Sequence, residues 1–187
     1  MPVVTLRHAA AADMRWLELW DDDPVVIACA TDDPHATAAF DGIDWTHELA
    51  LQSDVYRYFI AELDGRPIGA MNICDPHLEP THYWGDVEPN LRAMDIWIGN
   101  EADRGHGYGG EMMRLALERC FADARVAAIV IDPLASNERA HKFYRRLGFR
   151  AVGPRVFGED HCLVHALTRG DWNALQTSQR HTTFVTE

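Results

Sequence analysis

The sequence lacks any apolar run long enough to cross a bilayer. Its first residues also lack the basic segment and apolar stretch of a secretory signal peptide. We therefore expect a cytoplasmic protein with no membrane partner. No C-x-x-C pair occurs among the widely spaced cysteines Cys29, Cys74, Cys120 and Cys162, which favours free thiols in a reducing compartment.

No internal repeat or linker-like segment divides the 187 residues, a length typical of one compact domain. We expect a single domain over residues 1–172 and a C-terminal tail over residues 173–187, where structural signals are weak. Nothing in the sequence decides between a monomer and a homodimer.

Positive charge is scarce, and the net charge of −12 argues against a nucleic-acid partner because phosphates would be repelled. The charge is also uneven. No Lys or Arg lies between Arg15 and Arg57, where ten acids occur, whereas residues 104–155 carry ten basic and five acidic residues. The first segment suits a cationic ligand and the second a polyanion, although an acidic surface that only favours solubility gives a similar pattern.

Hydrophobic periodicity and turn residues predict an α/β (α+β) domain with a largely antiparallel sheet. The expected strands are 3–7, 56–62, 67–73, 93–99, 126–131, 149–152 and 162–167, and the expected helices are 13–20, one within 44–52, 109–121 and 137–147. Asp13 and Asn137 are expected to cap their helices, and Gly148 to follow the last one. Pro24 and Pro34 are expected to bracket an irregular region, and residues 74–92 to form a functional loop.

The segment Arg104-Gly105-His106-Gly107-Tyr108-Gly109 lies between an apolar strand and an amphipathic helix. Glycines let the backbone turn sharply and approach a ligand closely. N–H groups at a helix N-terminus favour a phosphate or pyrophosphate. The segment is neither a Walker loop nor a G-x-G-x-x-G fingerprint, but its setting favours a phosphate loop over a simple turn.

Two motifs in this order resemble those of the GNAT acetyltransferases. Arg104-x-x-Gly107-x-Gly109 matches the family's Q/R-x-x-G-x-G/A pyrophosphate loop, and residues 137–149 match its helix that opens with Asn, carries a Tyr and ends in Gly-Phe. The resemblance covers roughly residues 6–169. It implies the GNAT fold, in which helices flank a mixed, mostly antiparallel central sheet with a V-shaped splay between two strands.

The resemblance also implies that acetyl-CoA is a co-substrate and that no metal is needed. The splayed strands would be residues 93–99 and 126–131. The residues implied to contact the pantetheine arm, its phosphates or the reacting end of the coenzyme are Ile96, Trp97, Ile98, Arg104, Gly105, His106, Gly107, Tyr108, Gly109, Gly110, Asn137, Arg139, Lys142 and Tyr144.

Acetyl transfer needs a neutral amine and a proton for the departing thiolate. Tyr144 occupies the family position of the general acid, and an ordinary phenol pKa near ~10 keeps it protonated at neutral pH. Asp95 interrupts an apolar strand, where a charge is costly without a function or a partner, so we expect it to be the base. The alternatives are that Tyr144 is only an aromatic residue of the core, that the Asp95 carboxylate is paired within the sheet, and that a water chain acts as the base.

Within this superfamily the sequence most resembles aminoglycoside 6′-N-acetyltransferases. The resemblance rests on the helix at 14–20, the loop at 83–89, the strand with Asp95 and the segment Asp132-Pro133-x-x-Ser136-Asn137. One departure is that Tyr83-Trp84 stands where those enzymes carry a tryptophan pair. The resemblance implies a small cationic amine held by acidic and aromatic side chains, and the predicted acceptor-binding residues are Trp20, Asp75, Glu79, Tyr83, Trp84, Asp86, Glu88, Asp95, Asp132 and Glu159.

Other acceptors and one other class of function stay open at this point. Related enzymes acetylate siderophore precursors or peptide and protein amines, and a non-catalytic CoA-binding module is a third possibility. A metal site at Cys74, Asp75, His77 and His82 is not expected, because their spacing matches no standard zinc pattern.

Overall fold

The computed structural model describes residues 2–40 and 43–183. Its strands are β1 (Val4–His8), β2 (Tyr56–Leu63), β3 (Arg66–Cys74), β4 (Leu91–Ile98), β5 (Ala128–Ile131), β6 (Arg150–Phe157) and β7 (Asp160–Thr168). Its helices are α1 (Met14–Asp21), α2 (Pro24–Ala30), α3 (Trp45–Ala50), α4 (Tyr108–Ala122), α5 (Glu138–Arg146) and α6 (Arg169–Thr183).

The strands form one sheet in the order β1-β2-β3-β4-β5-β7-β6. All neighbours are antiparallel except β4 and β5, which are parallel. The β2–β3 hairpin turns at Asp64-Gly65, where both residues have positive φ, the geometry that such two-residue turns require. The predicted mixed, mostly antiparallel sheet is confirmed.

Two apolar clusters cover the two faces of the sheet. On one face, α4 packs Met112, Met113 and Leu117 against strand residues such as Met71 and Met94. On the other face, helices α1 to α3 supply an aromatic cluster that includes Trp20, Trp45 and Trp97. Side chains of a strand alternate between faces, so Asp95 and Trp97 of β4 point to the side of α1 to α3.

The expectation of an irregular region between Pro24 and Pro34 is wrong for its first half, because α2 begins at Pro24. Asp23 caps this helix by accepting hydrogen bonds from the N–H groups of Val25 and Val26, and proline is compatible with a first helical position. The prediction that Asp13 caps α1 is also wrong. Its carboxylate instead accepts hydrogen bonds from the Arg7 guanidinium and the Ala10 N–H.

The C-terminal segment forms helix α6, which runs across the expected domain boundary at residue 172. Trp172 stacks on Phe121 of α4 with ring centroids 5.4 Å apart, and Leu175 packs against the same apolar cluster. This part of the predicted tail therefore lies on the domain. Residues 184–187 of the tail lie outside the described residues.

The four cysteines, all within the described residues, are free thiols, as the sequence predicts. Within the same part of the chain, no helix combines the length and the apolarity that crossing a bilayer would require.

Candidate active site

Strands β4 and β5 separate along their length. Within the described part of the chain they pair only at Leu91–Ala128, Arg92–Ile129 and Ala93–Val130, so residues 94–98 of β4 have no strand partner there on that side. Gly99 N–H donates to Ile68 O of the neighbouring strand β3 at 3.0 Å. In an antiparallel ladder every second residue bonds to the same neighbour. The backbone N–H and C=O of Ile96, three residues before Gly99, therefore point away from β3 and toward the gap. The predicted V-shaped splay is present, with free backbone groups along one edge.

The gap opens into a cavity of about 1170 Å³ whose wall includes both strands, the glycine segment and α5. Gly105 and Gly107 have φ of 81° and 86°, and an added Cβ at either would meet no atom within 4 Å. Gly107 immediately precedes α4, a helix of 15 residues. Backbone N–H groups at this helix N-terminus therefore border open space, which is the environment that a pyrophosphate requires.

Arg104, the first residue of the glycine segment, already has partners within the protein. Its guanidinium donates to Ile98 O at 3.0 Å, to Gly99 O at 2.6 Å and to the Asp23 carboxylate at 2.7 Å. The side chain thus joins the end of β4 to the cap of α2. These contacts hold the start of the glycine loop against the end of β4.

Helix α5 brings Tyr144 and Asn137 to the cavity. Asn137 caps the helix by accepting the Ala140 N–H at 3.0 Å, as predicted, and Gly148 ends it with a φ of 93°. The Tyr144 ring packs against Phe149 and His165, at centroid distances of 5.8 and 6.4 Å. Burial is the main cause that raises the pKa of Tyr144 above its usual value, and the charges of Asp95 and Asp132 add to it. No described residue hydrogen-bonds its hydroxyl.

The Asp95 carboxylate faces the cavity without a hydrogen bond or an ion pair to any described residue. It is open to the cavity but enclosed by protein, and this burial, together with the negative charge of Asp132, raises its pKa to about 7. Asp132 lies at the end of β5 and accepts a hydrogen bond from the Tyr83 hydroxyl at 2.7 Å. Burial also raises the pKa of Asp132. Two interacting carboxyls thus lie in the cavity that Tyr144 also lines.

Sixteen of the sequence-predicted site residues line this cavity. They are Glu79, Tyr83, Trp84, Asp95, Ile96, Trp97, Ile98, Arg104, Gly105, Gly107, Gly109, Gly110, Asp132, Asn137, Arg139 and Tyr144. The Glu79 carboxylate is taken up by loop contacts, since it accepts hydrogen bonds from Thr81 and from the Tyr83 N–H. Glu79 therefore stabilises the loop at 75–90 rather than offering a free charge to a ligand.

The other predicted site residues lie away from the cavity wall. Trp20 is 1% exposed and packs on Gly99, where an added Cβ would lie 1.9 Å from the indole. Asp75 pairs with Arg92 at 2.9 Å. Exposed positions outside the wall are occupied by Asp86, Glu88, Glu159, His106 and Lys142, and Tyr108 is half-buried against the α4 cluster.

Several polar residues that the sequence did not single out also line the cavity: Glu48, Tyr56, Tyr58, Asn72, Arg146 and Asp160. Asn72 could have been singled out from the sequence, because it is a polar residue inside an apolar strand, as Asp95 is. Tyr56 and Tyr58 are two residues apart in a strand and therefore share a face. Glu48 and Arg146 reach the wall through the way their helices pack, which no local pattern encodes.

Much of the acidic N-terminal segment is used within the fold. Asp23 and Asp44 cap α2 and α3. Asp21 accepts the Trp45 indole N–H, and Asp32 accepts the Ser136 hydroxyl and the His161 N–H. Among the described acids of this segment, only Glu48 lines the cavity, and Asp41 lies outside the described residues.

The Acetyltransferase (GNAT) domain family matches residues 9–157. The chain belongs to the GNAT acetyltransferases. This acetyltransferase is similar to Aminoglycoside N(6')-acetyltransferase type 1 of Klebsiella pneumoniae, with 29% identity over 152 residues that cover 80% of this chain and 75% of the relative. It is also similar to the Kanamycin resistance protein of Rhizobium radiobacter, with 34% identity over 77 residues that cover 41% and 71% of the two chains.

Among solved structures, the acetyltransferase resembles the aminoglycoside acetyltransferase AAC(6')-Ib in complex with coenzyme A and kanamycin. The TM-score is 0.79 at 25% identity, over 93% of this chain and 99% of that one. A second structure of AAC(6')-Ib, with coenzyme A alone, gives a TM-score of 0.78 at the same identity.

The protein is an acetyl-CoA-dependent GNAT acetyltransferase. The residues present fit the coenzyme, because the splayed β4 edge, the open glycine loop and the α4 N-terminus border one cavity. Within residues 2–40 and 43–183 no group of three or more His, Cys, Asp or Glu side chains is arranged to hold a metal ion.

Proposed function

We propose that this acetyltransferase acetylates the 6′-amine of a small cationic acceptor of the aminoglycoside type, by direct transfer with Asp95 as base and Tyr144 as acid. The observation that carries the proposal is the presence, in one cavity, of a carboxylate and a hydroxyl that have no hydrogen-bond partner among the described residues. Both residues line the cavity beside the splayed strands. Similarity to one relative named Aminoglycoside N(6')-acetyltransferase type 1 and to another named Kanamycin resistance protein supports the choice of acceptor.

The coenzyme supplies the acetyl group as a thioester. The Gly105–Gly110 backbone, at the α4 N-terminus, would bind its pyrophosphate, and the β4 edge at Ile96 would bind the pantetheine arm. Arg139 and Arg146 line the same cavity and would offer charge to phosphate groups. Arg104 would act by holding the loop in place.

Asp95 would take the proton that the acceptor nitrogen releases as its new bond to the acetyl carbon forms. A carboxyl with a pKa of about 7 is partly ionised at neutral pH and remains basic enough to accept this proton. Tyr144 would donate its hydroxyl proton to the sulfur as the carbon–sulfur bond breaks. Its raised pKa keeps the hydroxyl protonated until that step.

Asp132 and Tyr83 would bind the acceptor beside Asp95. Their hydrogen bond holds the carboxylate of Asp132 in place, and Tyr83 stacks on Phe157 with centroids 4.6 Å apart. Trp84 packs against the same ring. An acidic group framed by fixed aromatic rings suits an ammonium on a sugar.

The decisive experiment measures thiol release from acetyl-CoA with matched acceptors. Neamine and paromamine share a scaffold, but only neamine carries a 6′-amine, so we expect release with neamine and none above background with paromamine. Asp95→Asn should abolish most of the neamine activity while the protein stays folded by circular dichroism.

A panel of a polyamine, a hydroxylamine and a peptide amine tests the alternative acceptors. Preference for the peptide amine or the hydroxylamine over neamine would overturn the proposed acceptor. If calorimetry shows acetyl-CoA binding but none of these amines gives release, the proposed acceptor class is overturned.

A further inference from the structure

The part of the cavity wall formed by α3 and strands β2 and β3 has no role in the steps described above. Glu48, on α3, lines the cavity and is half-buried. Its carboxylate forms no hydrogen bond or ion pair with any described residue. A charged group held at a cavity wall without a partner is costly unless a ligand neutralises it.

Beneath Glu48, three polar side chains form a row across the sheet. Tyr58 of β2 pairs in register with Asn72 of β3, and Asn72 pairs with Asp95 of β4. Since neighbouring strands lie about 4.8 Å apart, Tyr58 and Asp95 are about 10 Å apart across the sheet. The row thus extends from the proposed base to the tyrosines near Glu48.

Asn72 is the second sign that this wall binds a ligand. The side chain is 4% exposed and lines the cavity, yet its amide Nδ2 has no hydrogen-bond partner. Leaving a buried amide without a hydrogen-bond partner is energetically costly. A bound molecule that places an oxygen or nitrogen acceptor beside the Asn72 amide would remove that cost.

The tyrosines add a donor and two aromatic faces. The Tyr56 and Tyr58 hydroxyls share one hydrogen bond, which uses one of their two protons and leaves the other free. Burial is the largest cause that raises the pKa of both hydroxyls, and the charges of Glu48 and Asp95 both add to it. The carboxylates of Glu48 and Asp95 are therefore close enough to the Tyr56–Tyr58 pair to affect both hydroxyls.

The charges on the wall favour a cation here over a neutral group. Among described residues, the arginines and lysines that line the cavity are Arg104, Arg139 and Arg146, on the glycine loop and α5. The α3, β2 and β3 wall contributes Glu48 and no basic side chain within the described chain. The Tyr56 and Tyr58 rings offer further favourable contact to an ammonium.

We propose that Glu48, Asn72 and the Tyr56–Tyr58 pair form a second acceptor subsite that binds another ammonium group of the same acceptor molecule. The subsite makes Glu48 a specificity-determining residue: the enzyme selects acceptors that carry a second amine in addition to the one that reacts at Asp95. This inference rests on the proposed function, since it assumes that an amine is acetylated beside Asp95.

The test compares acceptors that differ in the second amine. The sugar 6-amino-6-deoxyglucose carries one amine, 2,6-diamino-2,6-dideoxyglucose adds a second on the same ring, and neamine places further amines on a second ring. We expect Glu48→Gln to raise KM about 10-fold or more for at least one of the two multi-amine acceptors, because a charge-assisted contact is lost. The kcat values, and KM for 6-amino-6-deoxyglucose, should stay within about 2-fold, because Asp95 is unchanged.

The matched control is Glu18→Gln, which removes the same charge from an exposed position on α1 outside the cavity wall. It should leave every KM unchanged. Melting temperatures of both variants check that folding is intact.

An unchanged KM for both multi-amine acceptors in Glu48→Gln would overturn the subsite while leaving acetylation at Asp95 standing. An equal loss for all three acceptors would also overturn it, because Glu48 would then act on the reacting amine. If the wild type acetylates none of them, the proposed function fails separately. Calorimetry on the CoA-saturated protein then decides the subsite, which is overturned unless Glu48→Gln weakens binding of a multi-amine acceptor alone.

Discussion

The influence of Asp132 on Asp95 can be measured through the pH dependence of acetyl transfer. Asp95 has a pKa of about 7, raised mainly by burial and further by the negative charge of Asp132. As a base it works only when deprotonated, so activity should rise with pH through an acid limb near 7. Because the two carboxyls interact, the limb reports the apparent pKa of the pair.

Asp132→Asn removes the like charge but keeps an oxygen that can accept the Tyr83 hydroxyl. The pKa of Asp95 should then fall, and the limb should move to lower pH. Since burial is the larger cause, the limb should move by less than half of the interval between 3.8 and about 7, that is, by less than about 1.6 pH units. We expect a movement of about one pH unit. At about pH 6, activity relative to the plateau should increase ~5-fold.

The assay is kcat and kcat/KM for neamine from about pH 5 to about pH 9. A second acceptor with a different amine pKa identifies the limb as belonging to the enzyme. Asp22→Asn, at an exposed position outside the cavity wall, should not move it. A limb that stays in place in Asp132→Asn, or moves to higher pH, would refute the coupling of the two carboxyls.

Two further variants test the proposed acid and base. Tyr144→Phe should lower kcat about 100-fold and leave acetyl-CoA affinity by calorimetry unchanged, because the ring contacts with Phe149 and His165 remain; an unchanged kcat would remove Tyr144 as the acid. Asp95→Asn should raise the free energy of unfolding at about pH 8 by about 1–2 kcal/mol. This value is smaller than the full pKa shift of Asp95 would give, because water in the cavity screens the carboxylate. The sign follows from the raised pKa of Asp95: between pH 3.8 and about 7 the folded state binds the extra proton, so wild-type stability falls as pH rises through this window. The difference between variant and wild type should therefore vanish near about pH 4 in thermal melts, and a difference independent of pH would contradict the account.

The sequence by itself determined the features whose physics is local. Glycines at 105 and 107 are required by backbone angles that other residues avoid. Asn137 and Gly148 delimit α5 through cap contacts within a few residues. Alternation along β4 fixes that Asp95 and Trp97 share a face. These patterns were enough to predict the sheet, the glycine loop before α4 and the helix that carries Tyr144.

Only the tertiary structure decided which charges face the cavity. Asp75 is paired with Arg92, 17 residues away, and Asp32 with the His161 N–H, 129 residues away, so neither is free for an acceptor. Glu48 reaches the cavity because α3 packs over β2 and β3. Whether a carboxylate is paired or free depends on partners distant in the chain, and a local pattern of residues does not contain that information.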